Sequence, residues 1–160
     1  MPVSLRLMLI LGFLVICVSQ SALAHKPASI GGIFSTFGRA LPMEDIDVSQ
    51  VVYSPLSEAS ARLWLAFDAT AGTTLDVSLG LPVLDRLADY RPNLAVLGPG
   101  LPAVDLPIDI PPGAGGVVFE SATAGDPHFF HEPITGTDSW ILLEESVYLP
   151  ETGTYYVAAY

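Results

Sequence analysis

Three histidines and one run of carboxylates are the residues in this chain whose types and spacing suit metal binding. Cleavage after Ala24 would make His25 the N-terminal residue, offering an α-amine and an imidazole together. One further imidazole, from His128 or His131, would complete a brace of nitrogen donors of the kind that copper favours, with zinc a weaker fit to the same groups. His128 and His131 are spaced His-Phe-Phe-His. On a strand, residues three apart point to opposite faces, whereas on a loop after Pro127 they could converge. The plainer reading is that Pro127 to Pro133 is a loop carrying surface histidines. Calcium is the other metal to weigh. Glu44, Asp45 and Asp47 place three carboxylates within four residues, and Asp138, Glu144 and Glu145 supply more. Calcium takes roughly six to eight oxygen ligands at about 2.3–2.6 Å. No Asp-x-Asp-x-Asp-Gly loop accompanies the acidic run, so a solvated acidic turn accounts for it equally well.

Catalytic motifs are absent from the sequence. There is no Gly-x-Ser-x-Gly elbow and no His-Glu-x-x-His pair. Gly113-Ala114-Gly115-Gly116 lacks the lysine of a phosphate-binding loop and reads as a turn. Trp64, Trp140, Tyr155, Tyr156 and Tyr160 offer aromatic surface for a sugar, or, as aromatics in strands usually do, core and cross-strand packing. Leu149-Pro150-Glu151-Thr152-Gly153 spells the Leu-Pro-x-Thr-Gly sorting signal, yet only seven residues follow it and none is basic. Pro150 and Gly153 also suit a turn between two strands, which is the expected role here. The inventory predicts no enzyme and no resident cofactor.

The first 24 residues read as an export signal. Arg6 precedes an uncharged apolar run of 12 residues, Leu7 to Val18, and Ala22-Leu23-Ala24 supplies a cleavage site. A bilayer span needs about 20 residues, so a cleaved signal is expected rather than a retained anchor. An uncut segment would hold the protein at a membrane, the one membrane association the sequence supports. Cys17 follows Ile16, too bulky a neighbour for lipidation, and leaves with the signal. The remaining 136 residues carry no cysteine, so a hydrophobic core must stabilise one domain without disulfides. Five basic residues against 17 acidic ones leave the cleaved chain at a formal −12. That charge repels nucleic acid and anionic membranes and favours cations. The predicted location is the periplasm or the extracellular space.

The elements that must position these groups read as β. Residues 25–47 form an irregular lead-in, with a helical turn near Ile33 to Phe37, and residues 48–160 form the domain. Val51 to Tyr53 is a short strand, and Arg62 to Ala69 is apolar enough to be buried on both faces. Thr74 to Leu79 alternates, with Leu75, Val77 and Leu79 inward. Residues 82–90 suit one short helix, with Pro82 in its first turn and Val83, Leu84 and Leu87 on one side. Asn93 to Leu97, Val117 to Glu120, Ser139 to Leu149 and Thr154 to Tyr160 complete the strands. Pro102, Pro107, Pro111 and Pro112 confine the intervening stretch to an edge or an extended loop. The predicted fold is an all-β, antiparallel, jelly-roll-like β-sandwich with one short helix, preceded by a signal-peptide helix. Tyr160 falls inside the last strand, which predicts either a finished sheet or a missing closing strand, with an open edge inviting strand addition.

Phe129 to Glu145 (FFHEPITGTDSWILLEE) and Tyr148 to Tyr160 (YLPETGTYYVAAY) resemble the late strands of bacterial pre-peptidase C-terminal-like domains and related exported β-sandwich modules. Asp47 to Tyr53 and Leu63 to Ala69 are similar to their opening strands. The resemblance implies a non-catalytic accessory module associated with calcium or polysaccharide. It carries over no catalytic residue. The expectation is therefore a binding or structural module whose ligand is a protein or a polysaccharide, with the copper protein and the membrane-held protein as alternatives.

Overall fold

The computed structural model describes residues 26–29, 32–55, 57, 61–133 and 135–160. The signal segment 1–24 and His25 lie outside these residues. Ten strands lie among the described residues: β1 (Lys26–Ser29), β2 (Leu41–Pro42), β3 (Gln50–Tyr53), β4 (Leu63–Ala69), β5 (Thr74–Pro82), β6 (Asn93–Gly98), β7 (Gly115–Glu120), β8 (His128–Glu132), β9 (Thr137–Tyr148) and β10 (Gly153–Ala159). They form a five-stranded sheet in the order β2-β4-β10-β6-β7, a three-stranded sheet β5-β9-β8, and a two-stranded ribbon β1-β3. The fold is the all-β sandwich that the strand pattern predicts. Two short pairings, β1 with β3 and β2 with β4, are parallel, and both involve the lead-in that the sequence reading leaves irregular.

Alternation explains how the sheets meet. Along β5, Leu75, Val77, Leu79 and Leu81 are half-buried while Thr74, Asp76 and Ser78 are exposed, as their period of two requires. Leu75 and Val77 pack with Phe67, Val96, Val147, Leu149 and Tyr155 to fill one end of the sandwich. Leu94, Leu142 and Leu143 continue the core toward the other end. The five-stranded sheet is also covered on its second face, which is why β6 and β4 carry apolar residues at successive positions. The cover is the proline-rich loop: Val104, Leu106, Ile108 and Ile110 pack on Trp64, Ala95, Leu97 and Ala158. Phe37, Trp64 and Tyr156 meet edge-on there, with ring centroids 6.0–6.5 Å apart.

Three expectations need correction. Among the described residues the helical turns are two 3-10 turns, Phe37–Arg39 and Asp85–Leu87. The helix predicted over 82–90 is reduced to the second of them. Pro82 is instead the last residue of β5, paired with Ser139. Val83 and Leu84 stay 39% and 42% exposed, so no core rewards a helix too short to stand alone. Second, β10 is no open edge: it lies between β4 and β6 and is paired on both sides. Third, the histidine segment is a strand, β8, hydrogen-bonded to β9, and not a loop.

Candidate functional site: a cavity walled by both sheets

The two ends of the sandwich are filled differently. At one end Phe67 and Tyr155 stack with centroids 6.1 Å apart, and Tyr155, Val96 and Leu149 have no solvent exposure. At the other end the facing residues are mainly aliphatic or small, with Phe130 of β8 among them. Leu63 and Leu65 of β4, Val157 and Ala159 of β10, and Leu79 of β5 leave a cavity of about 600 Å³. Ligand pockets commonly span roughly 300–1,000 Å³ and are lined mainly by apolar groups with a few polar ones. Val51, Val52 and Tyr53 of β3 close the cavity from the side, and Leu87 and Tyr90 on the β5–β6 connection close it further.

A β-bulge shapes this wall. Between Leu79 and Gly80 of β5 the partner register jumps from Leu143 to Ile141, leaving Leu142 as the extra residue. A bulge interrupts strand alternation and re-aims the neighbouring side chains. Leu142 and Leu143 are accordingly both buried, at 7% and 4% exposure. Ser139 and Ile141 then join the cavity wall. Gly80 holds the bulge close, since a Cβ there would lie 3.1 Å from Ile141 Cδ1.

Polar groups ring the apolar surface. Arg62, just before β4, and Arg86, on the 3-10 turn, line the cavity and are exposed. Glu132, 4% exposed at the end of β8, is part of the same lining. Tyr160 lines it too, joined to Asn93 by backbone hydrogen bonds in both directions, at 2.7 and 3.0 Å. Burial raises the Tyr160 hydroxyl above the usual tyrosine range, a hydrogen bond from the Asn93 side chain lowers it, and the negative charge of Glu120 raises it.

The residues singled out from sequence lie elsewhere. His128 and His131 sit on β8, and neither lines the cavity. Each faces its own carboxylate: His131 Nδ1 is 2.6 Å from Asp138 Oδ1, and His128 Nε2 is 3.8 Å from Glu144 Oε2. Glu44, Asp45 and Asp47 form an exposed turn in which the Asp47 amide donates to Asp45 Oδ1 at 3.2 Å. Among the described residues no group of three His, Cys, Asp or Glu side chains is gathered so as to hold a metal ion. His25, the remaining member of the copper brace, lies outside the described residues. Of the aromatics, Trp64 and Tyr155 are buried in the core and present no sugar-binding face. Trp140, 37% exposed, meets Phe129 edge-on at 5.8 Å. The sorting-like pentapeptide is a turn: Leu149 is fully buried, its amide donates to Thr73 O, and its carbonyl accepts from the Gly72 amide. Compared with known proteins, the chain matches no family model, no curated protein and no solved structure.

Proposed function

We propose that this protein is an exported, non-catalytic binding module whose ligand is an apolar small molecule seated in the cavity at the loosely filled end of the sandwich. One observation carries the reading: about 600 Å³ of space bounded by aliphatic side chains of both sheets, while the opposite end is filled by aromatic residues. Leu63, Leu65, Leu79, Leu81 and Val157 are all only half-buried, and apolar surface kept concave and accessible favours an apolar occupant. The apolar run ahead of Ala22-Leu23-Ala24 supports export.

The test uses N-phenyl-1-naphthylamine, a neutral dye whose emission rises and shifts to the blue in apolar surroundings. The protein is expected to enhance its emission saturably. Ala159→Trp on β10 and Ser139→Trp on β9 would each fill the cavity from a different sheet. Each is expected to abolish the enhancement while keeping the far-ultraviolet circular dichroism of the parent. An unresponsive dye with the parent protein, or undiminished binding to a folded variant, refutes the proposal.

A further inference from the structure

The cavity lining carries as many basic as acidic residues, Arg62 and Arg86 against Glu132 and Glu144, unlike the molecule as a whole. The chain carries 17 acidic and six basic residues. Four arginine side chains belong to the described residues: Arg39, Arg62, Arg86 and Arg91. Two of the four, Arg62 and Arg86, line the apolar cavity, and they reach it from separate parts of the chain. Arg91 is spent on its own loop, with Nη1 donating to Ala88 O at 2.8 Å and Tyr90 O at 3.0 Å. Among the described residues neither Arg62 nor Arg86 forms an ion pair with a carboxylate, although acidic residues outnumber basic ones almost threefold. Both arginines are exposed residues that line the same cavity as Leu63, Leu65, Leu79 and Val157.

We propose that the ligand is an anionic amphiphile, an unbranched aliphatic chain ending in a carboxylate, with the chain in the cavity and the head between Arg62 and Arg86. This rests on the cavity being the ligand seat. The physical argument is the separation of the two environments. An aliphatic chain gains by leaving water for the walls formed by Leu63, Leu65, Leu79 and Val157, whereas a carboxylate loses if it is buried without a partner. Beside these exposed arginines the head keeps part of its hydration and meets planar donors that match a carboxylate in geometry. Two acidic residues also belong to the lining. Glu144 is exposed and lies 3.8 Å from His128, and Glu132 is buried, at 4% exposure. In a molecule this negative, the pair also supplies selectivity, because the net charge repels an anion from most of the surface.

Displacement of bound N-phenyl-1-naphthylamine tests the head group separately from the chain. The competitors are dodecanoate, dodecan-1-ol and dodecylamine, which share a tail and differ in charge. Dodecanoate is expected to displace the dye at concentrations about three- to tenfold lower than the alcohol, an advantage that shrinks with added salt. Replacing both arginines (Arg62→Ala with Arg86→Ala) should remove that advantage, so that acid and alcohol displace the dye at equal concentrations. The doubly reversed variant (Arg62→Glu with Arg86→Glu) should favour the amine instead. Equal displacement by acid and alcohol, or preference of the parent protein for the amine, overturns this inference and leaves the apolar cavity standing. Failure of the dye to bind at all overturns the cavity reading beneath it.

Discussion

Tyr155 is the residue at which the closed end of the sandwich can be tested most sharply. Its ring is fully buried and stacked on Phe67. Its hydroxyl proton has two carbonyl acceptors, Pro99 O at 2.9 Å and Glu151 O at 2.8 Å, and its oxygen accepts from the Glu151 amide at 3.3 Å. The hydroxyl thus ties the β6–β7 connection to the turn between β9 and β10. Tyr155→Phe deletes only that tie. These contacts are partly buried, so water can replace the lost donor and the cost stays near a net hydrogen bond, about 1 kcal/mol. Tyr155→Ala also removes the ring and leaves a hole beside Phe67, Val96 and Leu149, for a total of about 3–5 kcal/mol. The ring beyond its hydroxyl therefore accounts for most of the loss. Gly98 sharpens the expectation, because the Tyr155 ring packs where a Cβ would stand, so in the alanine variant residue 98 has no side chain to move into the hole. Urea unfolding, followed by tryptophan fluorescence and by circular dichroism, measures both variants. For a chain of this size the Phe variant should melt roughly 3–5 °C below the parent. Equal losses for the two substitutions, or a loss under about 1 kcal/mol for alanine, would refute the packing account.

Two further predictions concern the covering loop and alkaline pH. Gly115→Ala places a Cβ against the backbone carbonyl of Leu101, which cannot swing aside, and should destabilise by about 1–3 kcal/mol and raise the accessibility of Trp64 to acrylamide; parent-like stability and quenching would contradict this. The Tyr160 hydroxyl titrates higher in the folded protein than in the unfolded chain, so its contribution to stability is complete below the ordinary tyrosine value of 10.0 and is lost as pH rises through the folded value. Urea unfolding at a series of pH values should show the parent losing more stability than Tyr160→Phe across that window, and identical slopes would count against the burial of this hydroxyl.

Much of the architecture is legible in the sequence. The clean alternation of Thr74 to Leu79 marks β5, and the apolar run Leu63 to Phe67 marks a strand covered on both faces, with Trp64 packed to one side and Phe67 to the other. Elements that depend on their partners are illegible. Nothing in His-Phe-Phe-His alternates, and β8 exists because its residues pair with Asp138 to Ile141 of β9. β2 is two residues long and takes its form from β4. The apparent helix at 82–90 fails because helical periodicity requires a surface to pack on, and Val83 and Leu84 face solvent. The cavity has no sequence signature at all. Leu63, Leu79 and Val157 each read as ordinary core, and the space between them follows from Gly80, Ser139 and Ala159 being small where strands far apart in sequence converge. Arg62 and Arg86 read as isolated charges for the same reason. His128, His131, Glu44, Asp45, Asp47, Asp138 and Glu144, which draw attention in the sequence, are instead spread over exposed strand and turn positions.

Nuclear Overhauser contacts between bound N-phenyl-1-naphthylamine and selectively labelled methyl groups test the central claim most directly. The account predicts contacts from the dye to the methyls of Leu63, Leu65, Leu79 and Val157, and none to those of Val96, Val147 or Leu149 at the filled end. Contacts confined to the exposed Val83 and Leu84, or a saturated dye that touches none of the cavity methyls, would contradict it.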